Sequence, residues 1–195
     1  MKLAKRLMVL AVLFAVSTSI AAADSQWSQV SWFTAESVAH SISYGVYNAT
    51  EACSQTALYY VEPAPIDGDE TKLNASTDST GAYLCQNTTQ GAIVVSNDGS
   101  VGINLTAAFN QITSGVTMKI GTDTDAWQSA CTGVCNATEC DLSSACLELN
   151  TSDILIGYDI AQNETQEYWI WADFTQVAGT AAPTKGNMTT TAVVV

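Results

Sequence analysis

The chain has 195 residues, nineteen of them acidic against six basic, and a formal charge of −13. That balance repels anionic lipid head groups and excludes nucleic acid as a partner. Charged residues are only 13% of the chain and apolar ones 47%, so it can bury a core and does not read as a disordered acidic tail.

The first element is a leader. Lys2, Lys5 and Arg6 precede an apolar run from Leu7 to Val16, and Ala21, Ala22 and Ala23 stand just before Asp24. This is the pattern of a secretory signal peptide, residues 1–23, with an A-x-A cleavage site. The run is shorter than the ~20 apolar residues of a membrane span. It also lacks the small residue a type IV pilin leader carries after its basic group, because Leu7 follows Arg6 directly. Cleavage leaves 172 residues with no membrane span. Lys72, Lys119 and Lys185 then face all nineteen acidic side chains, a formal charge of −16. That length suits one domain, residues 35–195, preceded by an extended segment, residues 24–34.

Eight of the ten asparagines begin an N-x-S/T acceptor pattern for N-linked sugar: Asn48, Asn74, Asn87, Asn104, Asn136, Asn150, Asn163 and Asn187. Ser and Thr make up 42 of 195 residues, so chance would supply about two, and the excess marks a glycosylated exported surface. Only Asn97 and Asn110 fall outside the pattern. Such use of N-linked sugar points to an archaeal or eukaryotic source.

The segment Asp24–Phe33 sets Trp27, Val30, Trp32 and Phe33 in a polar background. It is either the first strand of its own domain or an arm that seeks a partner elsewhere. Ser41–Tyr47 alternates Ile42, Tyr44 and Val46 with small residues and predicts a strand, as do Leu58–Val61, Tyr83–Cys85 and Val116–Ile120. Glu62–Gly81, with two of the three prolines, predicts a long loop. Gly91–Ala107 predicts two strands folded into a hairpin about Asn97-Asp98-Gly99, with Val101, Ile103 and Leu105 on the core side and Asn104 outward. Trp127–Leu149, with four cysteines, predicts a disulfide-pinned loop or a short helix. Ile154–Ile160 and Tyr168–Phe174 predict strands, the latter with Tyr168, Ile170, Ala172 and Phe174 on one face and Trp169, Trp171 and Asp173 on the other. A last Thr- and Val-rich strand over Gly186–Val195 turns Asn187, Thr189 and Thr191 outward. Strands at this spacing predict an all-β fold, an antiparallel Ig-like or jelly-roll β-sandwich.

The block SNDGSVGINLTA, and the pairing of the aromatic stretch EYWIWADF with the terminal strand after a Pro/Gly turn, resemble secreted β-sandwich filament subunits of the TasA-like and archaeal bundling-pilus or thread type. The likeness covers under a third of the chain and departs from the group in the cysteines and in Thr184-Lys185 before Gly186. It implies a homopolymer in which an N-terminal segment of one subunit adds a strand to the next.

Six cysteines in an exported chain, Cys53, Cys85, Cys131, Cys135, Cys140 and Cys146, predict three disulfides. Proximity favours Cys53 with Cys85 and two bridges inside the later cluster. A four-cysteine zinc site is the alternative, and the C-x3-C-x4-C-x5-C spacing matches no ribbon or finger. His40 is the only histidine, which leaves no second one for a His-based metal pair, and no nucleophile elbow, phosphate loop or zinc-protease helix is present. No cofactor is implied beyond a structural Ca2+, for which Asp67, Asp69 and Glu70, or Asp123 and Asp125, are candidate ligands outside any EF-hand pattern. Nothing singles out a pair of carboxylates for glycoside hydrolysis.

The expected function is structural and non-enzymatic: a glycosylated extracellular filament subunit at the cell surface. Residues Ser25–Phe33 would enter an open sheet edge of the next subunit, with Trp27, Val30, Trp32 and Phe33 filling pockets. The absence of a C-terminal anchor after Val195 fits retention by assembly. The alternative is a carbohydrate-binding or adhesin module with exposed Trp169 and Trp171 as its sugar platform.

Overall fold

The structure, a computed structural model, describes residues 38–47, 51–53, 58–61, 71–78, 81–128, 130–175 and 186–195. The leader, the segment 24–34 with Trp27, Val30, Trp32 and Phe33, the sequon at Asn48, and Asp67, Asp69 and Glu70 lie outside these residues.

The described residues form strands and no helix. The strands are β1 (His40–Tyr44), β2 (Val46–Tyr47), β3 (Glu51–Ala52), β4 (Leu73–Asn74), β5 (Ile93–Asn97), β6 (Ile103–Phe109), β7 (Thr117–Gly121), β8 (Val134–Cys135), β9 (Cys140–Asp141), β10 (Leu147–Leu149), β11 (Ile154–Ile160), β12 (Thr165–Asp173) and β13 (Met188–Val194). One sheet runs β1-β5-β12-β7-β10, with β4 also on β12, and the second runs β11-β6-β13. Every pairing is antiparallel.

The period-two pattern is what lets the sheets share a core. Ile93 and Val95 of β5, Ile120 of β7, and Tyr168, Ile170 and Ala172 of β12 bury against Ile103, Leu105 and Ala107 of β6, Ile156 and Ile160 of β11, and Ala192 of β13. The Tyr168 hydroxyl crosses this layer and donates to Ile156 O at 3.1 Å. Gly157 makes room for it, since a Cβ there would lie 2.7 Å from that hydroxyl. Burial pushes the Tyr168 phenol well above its ordinary pKa, so it stays neutral as the core requires.

The expected hairpin about Asn97 is not one. β5 pairs with β1 and β12, whereas β6 pairs with β11 and β13, so the two arms belong to opposite sheets and the turn is the corner between them. Asn97 makes that corner. It is fully buried, and its Nδ2 donates to Val101 O and to Ile160 O, both at 2.8 Å, while its Oδ1 accepts from Gly99 N at 3.0 Å. Its backbone N–H donates to Glu164 O, and its carbonyl accepts from Asn163 N. The β11–β12 connection, another passage between the sheets, is thereby fastened to the first.

The last two strands, β12 and β13, likewise stand in different sheets and, among the described residues, do not pair. Leu58–Val61 and Tyr83–Cys85 carry only isolated bridges, Tyr59 with Ser76 and Ser76 with Leu84, rather than strands. The Ser41–Tyr47 strand is divided at Gly45, whose amide donates to Ala92 O and whose carbonyl accepts from Cys53 N. A side chain at Gly45 would run into the backbone of Cys85.

Candidate assembly edge and sugar-bearing surface

The sheets end differently at their two sides. β1 ends the larger sheet and β13 the smaller, and among the described residues each pairs with one neighbour, β5 and β6 respectively. The two terminal strands meet where His40 Nε2 and Thr190 Oγ1 share a buried hydrogen bond of 2.9 Å. Burial lowers the His40 pKa below 6.5, with the Asp98 carboxylate pulling the other way. The lone histidine is therefore a neutral tie between sheets, a role no sequence motif marks.

Apolar cover is thin on this side. Ile42 and Tyr44 of β1 point into the core but are only half-buried, against 1% and 0% exposure for Ile93 and Val95 on the neighbouring strand. On β13, Thr190 and Ala192 are buried, and Val194, in the same inward register, is 45% exposed beside Val193 and Val195.

The opposite side is wrapped. Of the three disulfides, Cys131–Cys146 and Cys135–Cys140 pin the segment on this side, whereas Cys53–Cys85 sits beside the end of β1 at Gly45. The Cys53–Cys85 pairing and the confinement of the other two to the cluster are as the spacing predicts, and with no described cysteine free the zinc alternative falls. The pinned segment has no helix. It carries the β8–β9 pair, which packs against β11, and just ahead of it Ala126 and Trp127 pack on the tryptophans of β12.

Trp169 and Trp171 are 8% and 0% exposed and cluster with Ala126 and Trp127. The sugar platform expected of exposed Trp169 and Trp171 is therefore absent: both faces of β12 are covered. Trp169 Nε1 donates to Asn87 O at 2.7 Å, while Trp171 Nε1 has no hydrogen-bond partner among the described residues. Lys119, opposite Trp171 on β7, is buried and reaches Asp173 Oδ2 at 2.8 Å and Gln128 O at 3.1 Å. Burial raises the Asp173 pKa, but hydrogen bonds from Lys119 and Thr175 and the lysine charge outweigh it, so the carboxyl titrates below its ordinary value. Lys72 Nζ lies 4.7 Å from the Trp127 ring centroid and 5.8 Å from that of Trp171. Burial lowers its pKa, and Asp125 partly offsets the effect. Both lysines of the described residues are thus committed to this face.

Of the seven described sequon asparagines, Asn87, Asn136, Asn150, Asn163 and Asn187 are exposed, and Asn74 and Asn104 are half-buried. Five of these seven amides share one habit. Asn74 Oδ1 accepts from Gln86 Nε2, Asn87 Oδ1 from Thr89, Asn104 Oδ1 from Asp159 N, Asn136 Oδ1 from Thr138, and Asn150 Oδ1 from Ser152 N. Asn163 is a turn residue with φ 62°, a left-handed conformation that Asn tolerates. Asn97, outside the sequon pattern, instead spends its Nδ2 on the fold, and Asn110 Oδ1 accepts from Asn187 N at 2.8 Å. The acceptor patterns thus spare Nδ2, the atom that would carry sugar.

Asp123 Oδ1 accepts from Asp125 N at 2.9 Å, a local turn. Among the described residues no three His, Cys, Asp or Glu side chains converge as metal ligands, and no helix is long and apolar enough to cross a membrane. No protein-family model, curated protein or solved structure matches the chain.

Proposed function

We propose that the protein is the non-enzymatic repeating subunit of an N-glycosylated extracellular filament, and that the segment Ser25–Phe33 of one copy supplies a strand to the β1/β13 side of the next. The observation that carries this is the thin apolar cover where the two terminal strands meet, with Ile42, Tyr44 and Val194 half-covered in core-facing positions. An added strand would satisfy the edge backbone groups and bring Trp27, Val30, Trp32 and Phe33 onto those side chains. Repeated head to tail, such a contact does not close and gives a fibre. Three disulfides support folding in an oxidising compartment outside the cytoplasm. The spared Nδ2 atoms suit a sugar-coated outer surface.

Deleting residues 25–33 tests the reading. The truncated protein should remain a folded monomer with an unchanged melting temperature and form no fibres by negative-stain electron microscopy. Fibres of normal repeat from the truncated chain would contradict the strand exchange.

A further inference from the structure

We propose that Asn136 accepts a sugar only while the Cys135–Cys140 bridge is open, so that disulfide closure and sugar transfer compete at this one sequon. The inference rests on the sugar-coated surface proposed above.

β8 and β9 place Cys135 directly opposite Cys140, and the disulfide joins them across a loop of four residues, Asn136–Glu139. Inside that loop Nδ2 is spared, but the amide oxygen beside it, the Asn136 backbone N–H and the Thr138 hydroxyl are already engaged with one another and with Glu139. Asn136 Oδ1 accepts from Thr138 N at 2.9 Å, from Thr138 Oγ1 at 2.7 Å and from Glu139 N at 3.3 Å. Asn136 N donates to Glu139 O at 2.8 Å. In the transfer itself, Nδ2 forms the bond to the sugar C1 and loses a proton. The bond from C1 to a glycosyl-phosphate donor breaks, and the phosphate leaves with the electron pair. The acceptor pattern demands Ser or Thr two residues on because the enzyme reads that hydroxyl together with the amide. Here the hydroxyl is bound to the amide, and the covalent ring prevents the loop from extending to release either.

Asn87 provides a matched comparison within the same molecule. Thr89 N and Oγ1 donate to Asn87 Oδ1 at 2.8 and 3.0 Å, the same turn with the same partners. Nothing covalent closes that turn, since nearby Cys85 is bonded to distant Cys53. A chain not yet folded can present Asn87 in extended form whatever its redox state. Asn136 loses that freedom as soon as its local bridge closes, before any other part of the fold need form.

Site-resolved mass spectrometry of the protein from its native host tests this. In the wild-type chain Asn136 should carry sugar several-fold less often than Asn87. Cys135→Ser with Cys140→Ser should raise Asn136 to the level of Asn87 and leave Asn87 unchanged, while Cys131→Ser with Cys146→Ser should not raise Asn136. Equal occupancy of Asn136 and Asn87 in the wild-type protein overturns the proposal without recourse to any variant, as does an Asn136 level that stays low in the Cys135/Cys140 variant. Sugar on neither site nor on any other sequon overturns both this inference and the coated surface on which it rests.

Discussion

The two sides of the sandwich are held by different means. On the wrapped side, two disulfides pin a segment rich in small polar residues whose β8–β9 pair packs against β11, and a buried ion pair joins β7 to β12 beside Trp169 and Trp171. Where β1 meets β13, the sheets are tied by one neutral hydrogen bond, His40 to Thr190, over half-covered apolar side chains. An irregular segment brings little apolar area of its own, so it needs covalent anchors to stay down. A strand edge needs no such anchors if another strand is to lie on it, and fastening it shut would prevent that.

Lys119→Ala should have the largest effect. It strands the buried Asp173 carboxylate without its cation and should cost about 3 to 5 kcal/mol in chemical denaturation, whereas Lys119→Met combined with Asp173→Leu should cost far less. Opening the wrapped side covalently comes next: Cys131→Ser with Cys146→Ser, which frees a 15-residue separation, should cost about 3 kcal/mol by the same measurement. On the other side Thr190→Val, which removes the partner of His40, should cost only about 1 kcal/mol.

Acid distinguishes the sides more finely. Because the folded His40 pKa lies below 6.5, the unfolded chain binds its proton first. Stability should therefore fall as pH drops through 6.5 toward the folded value. Asp173 is shifted downward from 3.8, so its contribution is complete above that pH and is lost only below it. Melting temperature against pH should thus decline in two stages, and His40→Gln should erase the first stage and leave the second. A decline that begins only near pH 4 in the wild-type protein would contradict the buried neutral histidine.

Alternation made the inward faces of β5, β6, β12 and β13 legible, because a period of two assigns each side chain to a face. It does not say which sheet a strand joins. Ile93–Asn97 and Ile103–Phe109 therefore looked like the arms of one hairpin, and the tie that contradicts this, Asn97 to Ile160, spans 63 residues. Cysteine spacing limited the pairings, since chain length restricts which sulfurs can meet. The cover over Trp169 and Trp171 was not legible, for it depends on where Ala126, Lys119 and Lys72 come to rest. The His40–Thr190 contact was hidden for the same reason, joining residues 150 apart.

We propose that the β1/β13 side is completed by a neighbouring subunit. Electron cryomicroscopy of material taken from the cell surface tests it most directly. The expected result is fibres in which density for residues 25–33 of one subunit runs beside β1 or β13 of the next, with Trp27 and Trp32 over Ile42, Tyr44 or Val194. Discrete monomers, or fibres in which that segment lies along the edge of its own subunit, would contradict it.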